Sequence, residues 1–262
     1  MTLPYFLAFS TPNSLRAVIL AAGRGSRMGA LAEDRPKCLV ELAHQPLIRR
    51  QIAALRGGGV SGIGIVRGYL GHMIDIKDAT YFENPHWAET NMVMSLAAAA
   101  AWLKADAVVI SYADIFFRRD IVRDLLAASG DLVVSYDRSW RSLWTRRFVD
   151  PLSDAETFRT DANGNLIDIG KRTTQINDIE GQYMGLLKFT PKAWSAVEAV
   201  LAAVDAKTRD AMDMTTLLRA LLSSGFPIKT VGIAGQWGEI DSATDLDLYE
   251  QMVREGDLSL EN

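Results

Sequence analysis

The chain has 262 residues, 48% of them hydrophobic, a single cysteine and a formal net charge of −4. That size and composition suit one globular domain with a substantial core, while the acidic balance argues against non-specific nucleic-acid binding. With Cys38 alone there is no internal disulfide and no sign of an oxidising compartment, and the residue reads as a small buried apolar side chain. Residues 1–15 contain the apolar stretch Leu3-Pro4-Tyr5-Phe6-Leu7-Ala8-Phe9, which lacks a charged flank and is too short to cross a bilayer. They read as an N-terminal extension ahead of one domain over 16–262. No other run approaches membrane length, so a cytoplasmic protein without a membrane partner is expected.

Residues 18–21 read as a buried strand breaking into Gly23-Arg24-Gly25-Ser26-Arg27-Met28, with Pro36-Lys37 one loop further on. Glycines let the backbone approach a bulky anion and aim several N–H groups at it. Arg27 and Lys37 add the positive charge that a triphosphate demands. The string is neither a Walker A loop nor a dinucleotide fingerprint. Residues 46–56 have helical apolar spacing and meet a stop at Gly57-Gly58-Gly59. A second strand is predicted over 63–66, one helix over 91–103, a buried strand over 107–111, a helix over 121–128 and a strand over 132–136. Strand alternating with helix is the pattern of a doubly wound α/β fold with a mixed, mostly parallel sheet.

The rhythm changes after Tyr136. Residues 139–148 are basic and aromatic, and 156–160, 165–170 and 182–189 look like strands, the first two joined by an Asn163-Gly164 turn. An antiparallel, acceptor-binding subregion over 137–190 is expected, covering one side of a nucleotide site. Helices return at 191–204 and 214–223, strands at 228–233 and 237–240, and a helix spans 245–254.

In open α/β sheets, ligands bind beyond the carboxyl ends of the parallel strands. Tyr112-Ala113-Asp114 follows one such strand, and Asp241 ends the segment Trp237-Gly238-Glu239-Ile240-Asp241. Two carboxylates with phosphate oxygens and water form a suitable octahedral site for Mg²⁺; helix capping is the competing role for each aspartate. Among residues 139–147, Trp140, Arg141, Arg146 and Arg147 could enclose and clamp a phosphorylated acceptor. The same stretch also suits a surface helix with its tryptophans in the core. Lys171 is a further candidate for the acceptor phosphate. Glu180, Gln182 and Tyr183 lie close together, and strand alternation allows at most two of them to line a pocket unless a bulge intervenes at Gly181. His44, His72 and His86 have no partners at metal-type spacing and need no role.

The opening loop with Pro36-Lys37 resembles the signature of the nucleoside-triphosphate transferases. Thr90-Asn91-Met92-Val93, Ile110-Ser111-Tyr112-Ala113-Asp114-Ile115, Asp137-Arg138-Ser139-Trp140, Leu143-Trp144, Arg146-Arg147-Phe148, Asp154-Ala155-Glu156-Thr157 and Glu180-Gly181-Gln182-Tyr183-Met184-Gly185-Leu186 narrow the likeness. They are similar to the phosphocholine cytidylyltransferase branch and, within it, to the phosphoglutamine cytidylyltransferases of capsule modification. The resemblance implies a Rossmann-like nucleotidyltransferase fold and Mg²⁺-dependent transfer of CMP from CTP to a phosphorylated small acceptor, with release of pyrophosphate. It implies that Leu20, Ala21, Ala22, Gly23, Asn91, Tyr112 and Ala113 lie by the base and ribose. Gly25, Ser26, Arg27 and Lys37 would then hold the triphosphate, and Asp114 with Asp241 the metal. The arginine-rich stretch suits an acceptor bearing a carboxylate, which favours phosphoglutamine. Phosphocholine, aminoethylphosphonate or a sugar 1-phosphate as acceptor, and a non-catalytic nucleotide sensor, remain as alternatives.

Overall fold

The computed structural model describes residues 15–260. Residues 1–14, and with them nearly all of the expected N-terminal extension, lie outside the described residues. β1 (Arg16–Ala21) leads into 3₁₀ turns at Ser26–Ala32 and Lys37–Leu39. A two-residue ladder follows, β2 (Glu41–Leu42) with β3 (Gln45–Pro46), then α1 (Leu47–Gly58), β4 (Gly62–Arg67) and β5 (Ala79–Glu83). The middle of the chain gives α2 (Met92–Ala97), α3 (Ala100–Ala105), β6 (Val108–Tyr112), β7 (Ile115–Phe117), α4 (Arg119–Ala127) and β8 (Leu132–Asp137). Next come α5 (Trp140–Arg147), β9 (Glu156–Thr160), β10 (Leu166–Arg172) and β11 (Gln182–Phe189). The last elements are α6 (Pro191–Ala203), α7 (Ala206–Asp210), α8 (Met214–Ser223), β12 (Lys229–Ile233), β13 (Trp237–Glu239) and α9 (Ala243–Glu255).

Seven strands form the main sheet in the order β12-β8-β11-β6-β1-β4-β5. β1 pairs in parallel with β4 and β6, β4 with β5, and β8 with β12, while β11 runs antiparallel between β6 and β8. β1 shows how the sheet acquires two buried faces. Ala17, Ile19 and Ala21 point into a core shared with α1 and α4, and Val18 and Leu20 into one shared with α2, α3, α6 and α8. This is the mixed, mostly parallel, doubly wound sheet that the alternating pattern predicts.

Three expectations change. Helix α1 does not stop at the first glycine of its run but continues through Gly58 and ends on Gly59, at φ 115°. A Cβ on Gly58 would lie 2.5 Å from the Cβ of Val122, so this glycine lets α1 and α4 pack backbone to side chain. The single helix expected over 91–103 is two, because the alanine run favours helix without supplying a continuous packing stripe, and Ala99 is drawn fully into the core. Of the antiparallel cover expected over 137–190, only β9 and β10 form a separate hairpin; β11 lies inside the main sheet, and α5 is a helix that buries Trp140 and Trp144. Among the described residues no helix is long and apolar enough to cross a membrane.

Candidate active site

Asp114 sits on the tight turn between β6 and β7, at the carboxyl end of a central strand. The fully buried Gln51 of α1 holds that turn from below, donating from Nε2 to the carbonyls of Tyr112 (3.0 Å) and Ile115 (2.5 Å). β13 pairs antiparallel with β7, Glu239 opposite Ile115, and the Ile240 N–H donates to the Asp114 carbonyl at 3.0 Å. This short ladder brings Asp241 beside Asp114 although the two are far apart in sequence. Lys37 reaches both: its Nζ donates to Asp114 Oδ2 at 2.7 Å and to Asp241 Oδ1 at 2.5 Å. Gly25, at φ 68°, makes that reach possible, since a Cβ there would lie 3.1 Å from the Lys37 Cβ. Burial pulls the Lys37 ammonium down, but the Asp114 and Asp241 carboxylates outweigh it and hold the pKa above the usual lysine value.

A third carboxylate, Glu239, completes the group: one oxygen each from Asp114, Glu239 and Asp241 lies within 4.8 Å of the others. Sequence reasoning passed over Glu239. The signal was present, because residues two apart on a strand face the same way, and Glu239 and Asp241 have that spacing. Burial, and then the neighbouring Asp241 and Asp114 carboxylates, push the Glu239 pKa well up, with Arg147 opposing. Asp114 Oδ1 is buried without a hydrogen-bond partner among the described residues. Three clustered carboxylates, one of which carries an unsatisfied buried oxygen, fit a hard divalent cation such as Mg²⁺. Asp114 does not cap α4, whose N-cap position is held by Arg118 with Asp120 in the first turn, and Ser242 rather than Asp241 caps α9.

Two cavities flank the acidic group. The first, of about 290 Å³, is lined by Leu20, Ala21, Ala22, Gly23, Gly25, Lys37, Asn91, Tyr112, Ala113 and Asp114, along with Thr90, named beforehand only within a segment of resemblance, and Trp87, which sequence reasoning did not name. All the residues expected at the nucleotide are therefore gathered here except Ser26 and Arg27, whose side chains lie outside the described residues. Asn91 is also the cap of α2, its Oδ1 accepting from the Met92 N–H at 2.7 Å. The second cavity, of about 240 Å³, contains Trp144, Asp154, Glu156, Thr157, Arg172, Gln182, Tyr183, Thr215 and Glu239. Tyr112 belongs to both, and its ring meets that of Tyr183 edge to face at 5.8 Å.

The expected arginine clamp is corrected by these contacts. Arg146 turns away to Asp257 (2.8 Å) and Glu255 (3.7 Å), Arg147 is buried against Asp245, and Arg141 is exposed; none lines the second cavity. The reason is helical: α5 buries Trp140, Leu143 and Trp144 on one side, which leaves its arginines to the flanks and the solvent. Trp140 itself is in the core, and only Trp144 reaches the cavity. Lys171 pairs with Asp168 at 2.7 Å on the surface, and the Glu180 carboxylate accepts from the N–H and hydroxyl of Thr160. Two of the three strand candidates, Gln182 and Tyr183, line the cavity, and the irregular register of β11 falls between Tyr183 and Leu187 rather than at Gly181. Arg172, not singled out beforehand, is the arginine that the cavity does contain. Cys38 is buried as expected, and burial pushes its thiol up to about 12.

Residues 17–164 match the MobA-like NTP transferase domain. The chain belongs to this family. As a nucleotidyltransferase it is 38% identical, over 253 residues, to the CTP:phosphoglutamine cytidylyltransferase of Campylobacter jejuni, spanning 89% of this chain and 98% of that one. It is 34% identical to the choline-phosphate cytidylyltransferase of Streptococcus pneumoniae over a shorter stretch, 42% of this chain and 51% of the other. Solved structures share the fold: the inositol-1-phosphate CTP transferase of T. maritima superposes with a TM-score of 0.71 at 19% identity, covering 94% of this nucleotidyltransferase and 98% of that chain. The CTP:phosphocholine cytidylyltransferase of Streptococcus pneumoniae does so with a TM-score of 0.67 at 22% identity, covering 92% and 99%.

Proposed function

We propose that this nucleotidyltransferase transfers CMP from CTP to a phosphorylated amino-acid amide, phosphoglutamine or a close analogue, releasing pyrophosphate for the decoration of a cell-surface polysaccharide. The observation that carries the reading is the position of Lys37 and the three carboxylates between two cavities, one reached from the opening loop and one built by β10, β11 and α5. Likeness along nearly the whole length of a phosphoglutamine enzyme supports the choice of base and acceptor. So does the charge inside the second cavity: Asp154 and Glu156 suit an ammonium group, and Arg172 a carboxylate.

An acceptor phosphate oxygen would attack the α-phosphorus of CTP, a P–O bond would form to it, and the bond to the β-phosphate would break, the electron pair leaving with pyrophosphate. The attacking oxygen is ionised near neutral pH, so no side chain need remove a proton. Asp114, Glu239 and Asp241 would hold Mg²⁺, which when bound neutralises charge on the phosphates. Lys37 carries a fixed positive charge to the same place, and the backbone of the opening loop offers its N–H groups to the triphosphate. Tyr112 lines both cavities and so stands beside the place where the two reactants would meet. A second acceptor reading, phosphocholine, draws on Trp144 and Tyr183 standing with Asp154 and Glu156 in the same cavity.

Pyrophosphate release should be followed with CTP, UTP, ATP and GTP against phosphoglutamine, phosphocholine, 2-aminoethylphosphonate and glucose 1-phosphate, with and without Mg²⁺. Highest kcat/KM with CTP and phosphoglutamine, lost on chelation, is the expected result. Best turnover with phosphocholine would replace the acceptor, and best turnover with UTP and glucose 1-phosphate would replace the whole reading.

A further inference from the structure

Arg147 was expected to meet the acceptor, and it does not line the second cavity. Its side chain is 1% exposed, with Nε 2.8 Å from Asp245 Oδ1, and its guanidinium carbon lies 5.0 Å from the ring centres of both Trp144 and Phe148. Asp245 is as deeply placed, with 7% of its side chain exposed. Its other oxygen, Oδ2, accepts from the backbone N–H of Asp241 (3.0 Å), the backbone N–H of Ser242 (3.0 Å) and the Ser242 hydroxyl (2.9 Å). Part of this is an ordinary capping box at the start of α9. The bond to the Asp241 N–H goes one residue beyond the box and grips the backbone of a carboxylate in the acidic group.

We propose that the Arg147–Asp245 ion pair is a positioning device for Asp241, holding its carboxylate toward Asp114 and Glu239 for the metal; this rests on the reading of Asp241 as a metal ligand. Arg147 fixes Oδ1 of Asp245 from the α5 side, so Oδ2 faces the chain where β13 gives way to α9. With two N–H groups on one oxygen, the peptide between Asp241 and Ser242 has little freedom, and the Asp241 side chain leaves the backbone toward Lys37. Charge matters as well as shape. Asp245 is a fourth acid beside Asp114, Glu239 and Asp241, and the Arg147 guanidinium compensates it without competing for the oxygens that face Lys37. Arg147 Nη1 is buried and has no hydrogen-bond partner among the described residues, a cost that stability alone gives little reason to keep.

The test measures Mn²⁺ binding to the full-length protein by electron paramagnetic resonance, together with the melting temperature and steady-state kinetics. Arg147→Met should weaken Mn²⁺ at least about tenfold and lower kcat with little change in the acceptor KM, the range found when partners behind a metal ligand are removed. Arg147→Lys, which restores the charge, should return affinity to within about threefold of the parent. If Arg147→Met does not fold, Asp245→Asn keeps the shape and an acceptor oxygen while breaking the ion pair, and should weaken Mn²⁺ likewise. A lower melting temperature with unchanged Mn²⁺ affinity would show a purely structural pair and overturn the proposal, as would a rise confined to the acceptor KM. Asp241→Ala separates the two layers. If it weakens Mn²⁺ while the Arg147 and Asp245 variants do not, only the positioning role falls; if it leaves Mn²⁺ unchanged, the metal reading falls and the positioning role with it.

Discussion

The two cavities beside Asp114 are built in different ways. The first is framed by main chain: the ends of β1 and β6, the glycine loop, and the cap of α2. The second is framed by side chains from α5, the β9–β10 hairpin, β11, α8 and β13. A site made of strand ends and tight turns needs particular residues at a few consecutive positions, since only some can turn the chain or let a backbone approach a phosphate. A site made of side chains on six elements places no constraint on any short stretch, and its charges can be exchanged without altering the fold. The first cavity is thus where a reaction would be held constant, and the second where its acceptor would be chosen.

The variant with the largest expected effect strikes the acidic group that the two cavities flank. Asp114→Ala should lower kcat by at least about 10³-fold, since it would remove both an oxygen proposed to hold the metal and a partner of Lys37. The fold should survive, because Lys37 keeps Asp241 and the turn keeps Gln51. Pyrophosphate release at saturating substrates, with circular dichroism as control, makes the check. Near-normal turnover would mean that the acidic group is not where the chemistry happens, and the contrast between the cavities would lose its meaning.

How far the sequence could be read follows the same division. β1, Gly23, Gly25, Lys37, Asp114 and Asp241 are legible because each is tied to a strand end or a turn with local requirements. Glu239 was legible in principle through its spacing from Asp241. Arg172 was not: it lies at the end of β10, and only the folding of the hairpin back over β11 gives it a cavity to face. The arginines of α5 were misread for a related reason. A run of arginine and tryptophan marks a recognition surface when exposed, and a helix packed through its tryptophans when buried. Which of these holds depends on α9 and the segment after it, which supply Asp245, Glu255 and Asp257 a hundred or so residues away.

Arg172→Ala should sharpen the comparison with a smaller effect confined to one cavity. The guanidinium donates from Nη1 to the Ser153 carbonyl at 2.8 Å and is exposed enough for solvent to weaken its charge, so a rise of about tenfold in the acceptor KM is expected, with the KM for CTP unchanged. It should also move a pH limb. Burial raises the Glu156 carboxyl above its ordinary value, and Arg172 opposes that shift. Without Arg172 the folded-state pKa of Glu156 rises further, so its charge is lost at a higher pH as the solution is acidified. If Glu156 holds the acceptor ammonium, the acid limb of kcat/KM for the acceptor should move upward in pH, while that for CTP stays in place. Equal losses for CTP and acceptor would show that the cavities are not independent.

Arg146→Ala carries the smallest expected effect and is the most direct check on the division. Arg146 belongs to the stretch that looked most like an acceptor clamp, yet its guanidinium is held by Asp257 and Glu255 on the far side of α5. These are partly exposed pairs, each worth up to about 1 kcal/mol, so the melting temperature should fall only slightly. Both Michaelis constants and kcat should stay within about twofold of the parent, because no reactant-facing group has been removed. A selective rise in the acceptor KM would mean that α5 turns its arginines inward when substrate binds. The second cavity would then be an induced site rather than a standing one, and only the main-chain-built cavity would be present before binding.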